Sequence, residues 1–317
     1  MNTIKDLTNT LPKVKESSAS HDIIETPCIH NLNKSHERII TWDKTDLREY
    51  GRLERRHEIV KALLDDRLHQ APILNPRRIL DCSSGSGCWA LEACARYPAA
   101  SVTGLDMSNL QCLGPLSDRL QFCQGRLDRD LPFADCTFDL VHSQAVQSQV
   151  SDWSAFVSEL YRVTTPGGWV QLVEPDADGV STDEHSTGLG DSLTKWINIC
   201  NYASVMMGHD TAVHLKLVDI LTTIGFENIQ STDLKARSFV PEVEGQSAGA
   251  NKIVAKLIKR DMTESVRNCG KDALQVLSTD QSEEEIQRFI QDVVKDFKRT
   301  TNKWYLGYRA IVAQKPV

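Results

Sequence analysis

The chain has 317 residues and 35.5 kDa, 40% hydrophobic and 25% charged, a balance that excludes collagen-like, coiled-coil and wholly disordered classes. Lys and Arg number 36 against 43 Asp and Glu, for a net charge of −7 and no basic run, so nucleic acid and anionic membranes are poor partners. The nine cysteines form no CxxC pair and no apolar run approaches the roughly 18 residues of a membrane span, so no disulfide scaffold, metal site or transmembrane helix is expected and the default address is cytoplasmic.

Residues 1–35 are polar and aperiodic and are read as a disordered N-terminal segment. From Leu47 through Leu68 the apolar positions recur at helical spacing, until Pro72, Asn75 and Pro76 stop the helix. Short β-type runs follow at 77–82, 101–106, 120–123, 138–143 and 169–174, with helical patterns at 89–97 and 153–163 between them. Nearly unbroken apolar strands are buried on both faces, and strand–helix alternation at this spacing predicts a parallel α/β sheet.

The alternation lapses over 175–210, where Leu193, Trp196, Ile197, Cys200 and Ala203 return to helical spacing. That helix either packs on the sheet or lids a substrate pocket. Val213–Ile224 reads as a helix ended by Gly225, followed by a strand near 226–232. Glu283–Glu285 open a later helix with the stripe Ile286, Phe289, Ile290, Val293, Val294 and Phe297, which Lys295, Lys298 and Arg299 close. Leu306–Gln314 reads as a last strand.

The chemistry is concentrated in ILDCSSGSGCWALEACARYPAASVTGLDMS, residues 79–108. A strand ends in Asp81, the small-residue turn Ser83-Ser84-Gly85-Ser86-Gly87 follows, a helix starts at once, and a second strand ends in Asp106. Glycines let a ligand approach the main chain, the new helix offers unpaired N–H groups, and an acid at the second strand tip can accept from both hydroxyls of a ribose. The alternative for Asp106 is a plain strand-end turn acid. A dinucleotide turn wants GxGxxG, but Gly85-Ser86-Gly87 is followed by Cys88, Trp89 and Ala90, which puts bulk where a pyrophosphate backbone comes close.

The spacing Asp-x-x-x-Gly-x-Gly resembles motif I of class I S-adenosylmethionine-dependent methyltransferases. DCSSGSGCWALEACARYP, GLDMS, LPF with FDLVHS, DW and TPGGWVQLVE stand in the order and spacing of the LaeA-like branch of fungal methyltransferases, which holds regulators and tailoring enzymes of secondary metabolism. RLERRHEIV upstream and GYRAIVAQKP downstream carry the resemblance over about residues 47–316.

The resemblance implies a Rossmann-like class I fold, a mostly parallel sheet of about seven strands with the last antiparallel, plus a helical cap. Residues 36–317 would form one methyltransferase domain, with cap or lid elements near 36–70, 175–212 and 240–303. It further implies S-adenosyl-L-methionine as cofactor, with Asp81, Ser83, Gly85 and Gly87 toward its methionine half, Asp106 on the ribose and Met107 over the adenine. Arg126 and Leu127 follow the third strand beside the adenine, and His142 and Ser143 lie near the transfer centre. His142 is the candidate catalytic residue, or else a satisfied histidine whose backbone matters more than its ring. His185, His209 and His214 are alternative bases, and Gln144, Trp196 and His209 are candidate substrate contacts.

Three positions depart from the family pattern. Serine replaces glycine at Ser83, at a strain cost of about 1 kcal/mol if φ is positive. Arg126, which only donates, stands where the family has an adenine-accepting Asp, and Gln144 stands where it has Arg. The reading is methyl transfer to O or N of a small-molecule secondary metabolite. The alternative is a methyltransferase fold without transfer, serving as a regulatory partner subunit or guiding a non-methylating rearrangement.

Overall fold

A computed structural model of the protein describes residues 47–107, 117–182, 188–240, 248–276, 282–299 and 303–317. The N-terminal segment 1–35 and His185 lie outside the described residues. In chain order the elements are α1 (Leu47–Leu63), β1 (Arg78–Cys82), α2 (Cys88–Arg96), β2 (Ser101–Asp106), β3 (Leu120–Gln124), β4 (Phe138–Gln144), α3 (Trp153–Val163) and β5 (Thr164–Thr182). Then come α4 (Asp191–Met206), a 3-10 turn (Val213–Leu215), α5 (Leu217–Ile224), β6 (Glu227–Arg237), α6 (Ala248–Val276), α7 (Glu283–Lys298) and β7 (Trp304–Gln314).

The strands form one seven-stranded sheet in the order β3-β2-β1-β4-β5-β7-β6. The first five are mutually parallel, and β7 runs antiparallel to both β5 and β6. This is the class I methyltransferase architecture the sequence predicts. Strand order reverses between β1 and β4, so their carboxyl ends diverge and open the crevice where α/β sheets bind ligands.

Strand pleating sends alternate side chains to opposite faces. Leu80, Cys82, Leu105, Val141, Val170 and Leu172 face one side, where Phe156, Val157 and Leu160 of α3 and Leu217 and Leu221 of α5 cover them. Ile79, Val102, Leu140 and Trp169 face the other, under Trp89, Ala90 and Ala93 of α2. Beyond them, α1, α4, α6 and α7 pack on the β5–β7–β6 half through Ile59, Leu193, Ile258, Val293, Phe297 and Trp304.

Helix ends follow local chemistry. Asp152 caps α3 by accepting from the Ala155 N–H at 2.9 Å, and Ser282 with Glu285 forms a full capping box on α7. Gly225 ends α5 at φ 108°, as the sequence predicts. Several boundaries differ, β5 most of all, running Thr164–Thr182 where the sequence predicts a strand over 169–174. The first helix stops at Leu63, before the prolines, because Asp65 and Asp66 turn left-handed at φ 55° and 60°. The helix expected over 213–224 begins as a separate 3-10 turn, and the strands at either side of the antiparallel pair run longer, β6 to Arg237 and β7 from Trp304. The largest difference is α6, a 29-residue helix in a stretch where no helix was singled out.

Candidate active site

Parallel register brings Asp81 beside Gly104 and His142, and His142 beside Gln171, in one row on the α2 side of the sheet. At the end of β1 the chain turns through Ser83 at φ 62°, Gly85 at φ 56° and Gly87 at φ 77°, and α2 starts at Cys88. Ser83 therefore holds the left-handed conformation that glycine fills without strain. Its hydroxyl accepts a 2.7 Å hydrogen bond from Gln149 Nε2, in the loop after β4.

Asp106, at the end of β2, is 3% exposed and its Oδ2 accepts from the Gly85 N–H at 3.0 Å. The carboxylate thus ties the turn to the second strand. Leu53 of α1 lies against Gly85, 3.3 Å from where a Cβ would stand, so α1 roofs the turn. Asp81 is buried, with Oδ2 lacking any partner, and its carboxyl is raised well above the usual range by burial and then by the charge of Asp106.

Orphaned buried polar atoms are scarce in folded proteins and mark places where a ligand or ion completes the network. Here Asp81 Oδ2, Ser143 Oγ, Gln147 Oε1, His209 Nδ1 and His214 Nδ1 are buried without partners. The first three stand at the carboxyl ends of β1 and β4 or in the loop after β4. His209 reaches the same loop through a hydrogen bond with the Val150 backbone, and burial lowers its pKa.

The loop after β4 is held from below. Glu174, fully buried at the end of the regular part of β5, accepts from the Val146 and Gln147 N–H groups, each at 3.1 Å. Ala145, just before them, has φ 54°. Burial pushes the Glu174 carboxyl up to about 8, against the opposing pull of the two amides. Two residues on, Asp176 Oδ1 meets His214 Nε2 at 2.7 Å, a bond that lowers the Asp176 pKa.

The structure does not bring all of the expected residues to the crevice. His142 is 2% exposed; its ring stacks on Trp89 with centroids 4.1 Å apart, and Nδ1 lies 3.3 Å from Gln171 Nε2. Burial lowers its pKa well below the usual value. The ring is thus packed under α2, held by Trp89 and Gln171. Gln144 hydrogen-bonds that ring. Trp196 is 5% exposed and packs within the α4–α7 core.

Past β3, Leu127 is buried in the α3-side core, while Arg126 is exposed and pairs with Asp128 through two 2.8 Å bonds that lower the Asp128 pKa. Met107 is half-buried, its carbonyl accepting from Gln124 Nε2 at 2.9 Å. Gln149, Glu174 and Asp176 carry no local signal in the sequence: Gln149 stands in a loop, the two carboxylates stand on β5, and each meets partners distant in the chain.

Residues 80–172 match the family described as "Methyltransferase domain". A methyltransferase of Strobilurus tenacellus is 30% identical over 128 residues, 40% of this chain and 46% of that protein. A secondary metabolism regulator of Cochliobolus heterostrophus is 28% identical over 195 residues, 59% and 62% of the two chains. A methyltransferase of Aspergillus terreus is 34% identical over 133 residues, 41% and 40%. The chain thus spans about half the length of the curated relatives it matches. A solved structure from Anabaena variabilis, described as a methyltransferase from an antibiotic biosynthesis pathway, superposes with a TM-score of 0.51 over 80% of this chain and 96% of that one at 11% identity, a likeness of fold alone. The chain carries a methyltransferase domain on the class I fold and is related to the LaeA-like methyltransferases and regulators of fungal secondary metabolism.

Proposed function

We propose that the chain binds S-adenosyl-L-methionine and transfers its methyl group to oxygen or nitrogen of a small-molecule secondary metabolite. The observation that carries this reading is the crevice itself: Asp81, the Ser83–Gly87 turn, Asp106 and Ser143 converge at the switch point, with buried polar atoms that lack partners. They fit a nucleoside joined to an amino acid. Asp106 would take the ribose hydroxyls and the turn the methionine end, while Met107 would flank the adenine. A cationic ligand also relieves the mutual repulsion of the Asp81 and Asp106 carboxyls.

The cofactor supplies an already activated methyl group, so the protein's work is alignment, exclusion of water and removal of one proton. Of the histidines read as candidate bases, His214 is oriented by a carboxylate, Asp176, and its Nδ1 is buried without a partner, the arrangement of a base held by a third group. In this reading His214→Asn abolishes methyl gain by acceptors and leaves binding of S-adenosylhomocysteine intact; loss of binding as well would make His214 structural.

Cofactor binding itself is tested by titration calorimetry with S-adenosylhomocysteine. Asp106→Ala is expected to weaken it about ten- to hundredfold, the worth of charge-assisted hydrogen bonds. Unchanged affinity would move the site elsewhere. The six cysteines described are all free, which supports a reducing, cytoplasmic setting, and no described helix is long and apolar enough to cross a membrane. The cap helices and the sheet belong, in this reading, to one domain.

A second reading, a regulator or a non-methylating pocket on the same fold, draws on Ser83 at φ 62° and on Arg126 in place of an adenine acceptor. Binding of the cofactor without any mass gain of one methyl across a panel of phenols, amines and carboxylic acids would favour it.

A further inference from the structure

Three orphaned acceptors gather near Glu174, where the regular part of β5 ends. Gln147 Oε1, His209 Nδ1 and His214 Nδ1 are buried without partners. His209 bonds the Val150 backbone, in the loop after β4 that also carries Gln147. The Gln147 N–H donates to Glu174 at 3.1 Å, Glu174 stands opposite Arg309 in the β5–β7 register, and Arg309 Nη1 donates to the His214 carbonyl at 3.3 Å. Asp176, two residues beyond Glu174, holds the His214 ring. Val146, Val150 and Val213, beside these residues in the chain, share the core covered by α3 and α5.

The bonds already made decide what the unused atoms offer. Asp176 accepts only, so the His214 proton toward it sits on Nε2, and the neutral ring that a base requires leaves Nδ1 a bare lone pair. His209 repeats the pattern. Its bond to the Val150 backbone favours the charged ring, as a bond the ring donates does, so with Nδ1 unpartnered the proton stands on Nε2. Burial outweighs that bond and lowers the pKa, which keeps this ring neutral at pH 7 as well.

Gln147 adds a carbonyl oxygen. Acceptors on three separate side chains call for donors on separate atoms. A compound with several hydroxyls supplies them. A carboxylate has no proton to give and meets the charge of Asp176, while a single ammonium gathers all its N–H groups on one nitrogen. A site of this kind selects because a ligand without the matching donors leaves its buried acceptors unpaired.

We propose that the acceptor is a neutral compound with two or more hydroxyls, a polyphenol or polyol, held by one hydroxyl on His209 Nδ1 and methylated on another at His214 Nδ1. The proposal rests on the methyltransferase reading above and names its substrate class. At the reacting hydroxyl a carbon–oxygen bond forms as the carbon–sulfur bond of the sulfonium breaks; the sulfur keeps that electron pair, and the hydroxyl proton passes to His214 Nδ1. His209 is thereby the residue that sets specificity.

The test is methyl gain, read by mass, on dihydroxy, monohydroxy, carboxylic acid and primary amine acceptors matched on two skeletons, biphenyl and flavone. The dihydroxy members are expected to show kcat/KM at least about tenfold above the monohydroxy members, and the acids to gain nothing. His209→Gln keeps an N–H for Val150 and removes the bare nitrogen. It should bring the dihydroxy acceptors down to the monohydroxy level through KM, with a wild-type melting temperature and affinity for S-adenosylhomocysteine as the sign of an intact fold. If monohydroxy compounds, acids or amines are methylated as well as the dihydroxy compounds, or His209→Gln lowers kcat and leaves the preference, the proposal falls. It falls too if no acceptor gains a methyl while S-adenosylhomocysteine still binds, and the cofactor reading then stands. If wild-type protein does not bind S-adenosylhomocysteine, the cofactor reading fails and the proposal with it.

Discussion

Replacing Asp261 with alanine is expected to destabilise the protein by about 3 to 5 kcal/mol, the cost of removing one partner from a buried ion cluster. Asp261 lies on α6 with no exposure and receives Arg56 Nη2 at 2.7 Å and Arg52 Nη1 at 3.5 Å, both from α1. Arg52 is also gripped by Glu49, through bonds of 2.8 and 2.6 Å, and Arg55 pairs with Glu264 alongside. Without Asp261, two guanidiniums lose their shared acceptor in a low-dielectric contact.

Urea denaturation measures the loss, and a change below about 1 kcal/mol would mean that water or a neighbouring acid takes over. Replacing Arg56 by Met and Asp261 by Leu together should cost less than Asp261→Ala alone, because Arg56, the nearer of the two partners, is no longer left without its acceptor, while Arg52 keeps its bonds to Glu49. The effect reaches the crevice as well. Since α1 carries Leu53 onto Gly85, loosening the α1–α6 contact should weaken binding of S-adenosylhomocysteine even though no mutated atom lies in the site.

Glu174 gives the second large effect, and it is read through pH. Burial raises this carboxyl from the usual 4.5 to about 8, so between those values the folded protein holds a proton that the unfolded chain releases. The associated stability is complete below about pH 4.5 and is lost as pH rises through about 8, with an upper bound on the order of 4 to 5 kcal/mol. Glu174→Gln cannot titrate, and its amide presents N–H groups toward one of the two backbone N–H donors.

The variant should be the less stable protein at pH 5, by about 1 to 2 kcal/mol, with a flatter pH profile up to pH 9, so that the two curves converge or cross. Parallel curves would show that Glu174 titrates normally. Because Glu174 fixes the loop after β4, the variant should also bind S-adenosylhomocysteine more weakly.

Much of the cofactor half was legible in the sequence because its signals are local. Apolar runs buried on both faces read as parallel strands, Asp81 and Asp106 close two of them, and the small-residue turn sits where β1 meets α2. Ser83 does hold the positive φ at which a serine in place of glycine is strained. The helix α6 was not singled out because its residues mix charge and apolar groups along 29 positions, and its partner α1 lies some two hundred residues away, so that buried charges such as Asp261 read as surface.

The sequence by itself determined the strand-turn-helix unit and the acid at the second strand tip, since each depends on neighbours a few residues away; the antiparallel last strand followed from the family resemblance, because its partner β5 lies far off in the chain. Only the tertiary structure decided what each candidate side chain faces. Register put His142 in one row with Asp81 and Gln171, with its ring stacked on Trp89, and the packing of α4 on α7 turned Trp196 inward. The same three-dimensional closure brought Gln149 to Ser83, Glu174 to the Val146 amide and Asp176 to His214. Those pairs are separated by 28 to 66 residues, and the strand pairing and loop closure that join them leave no local pattern to read.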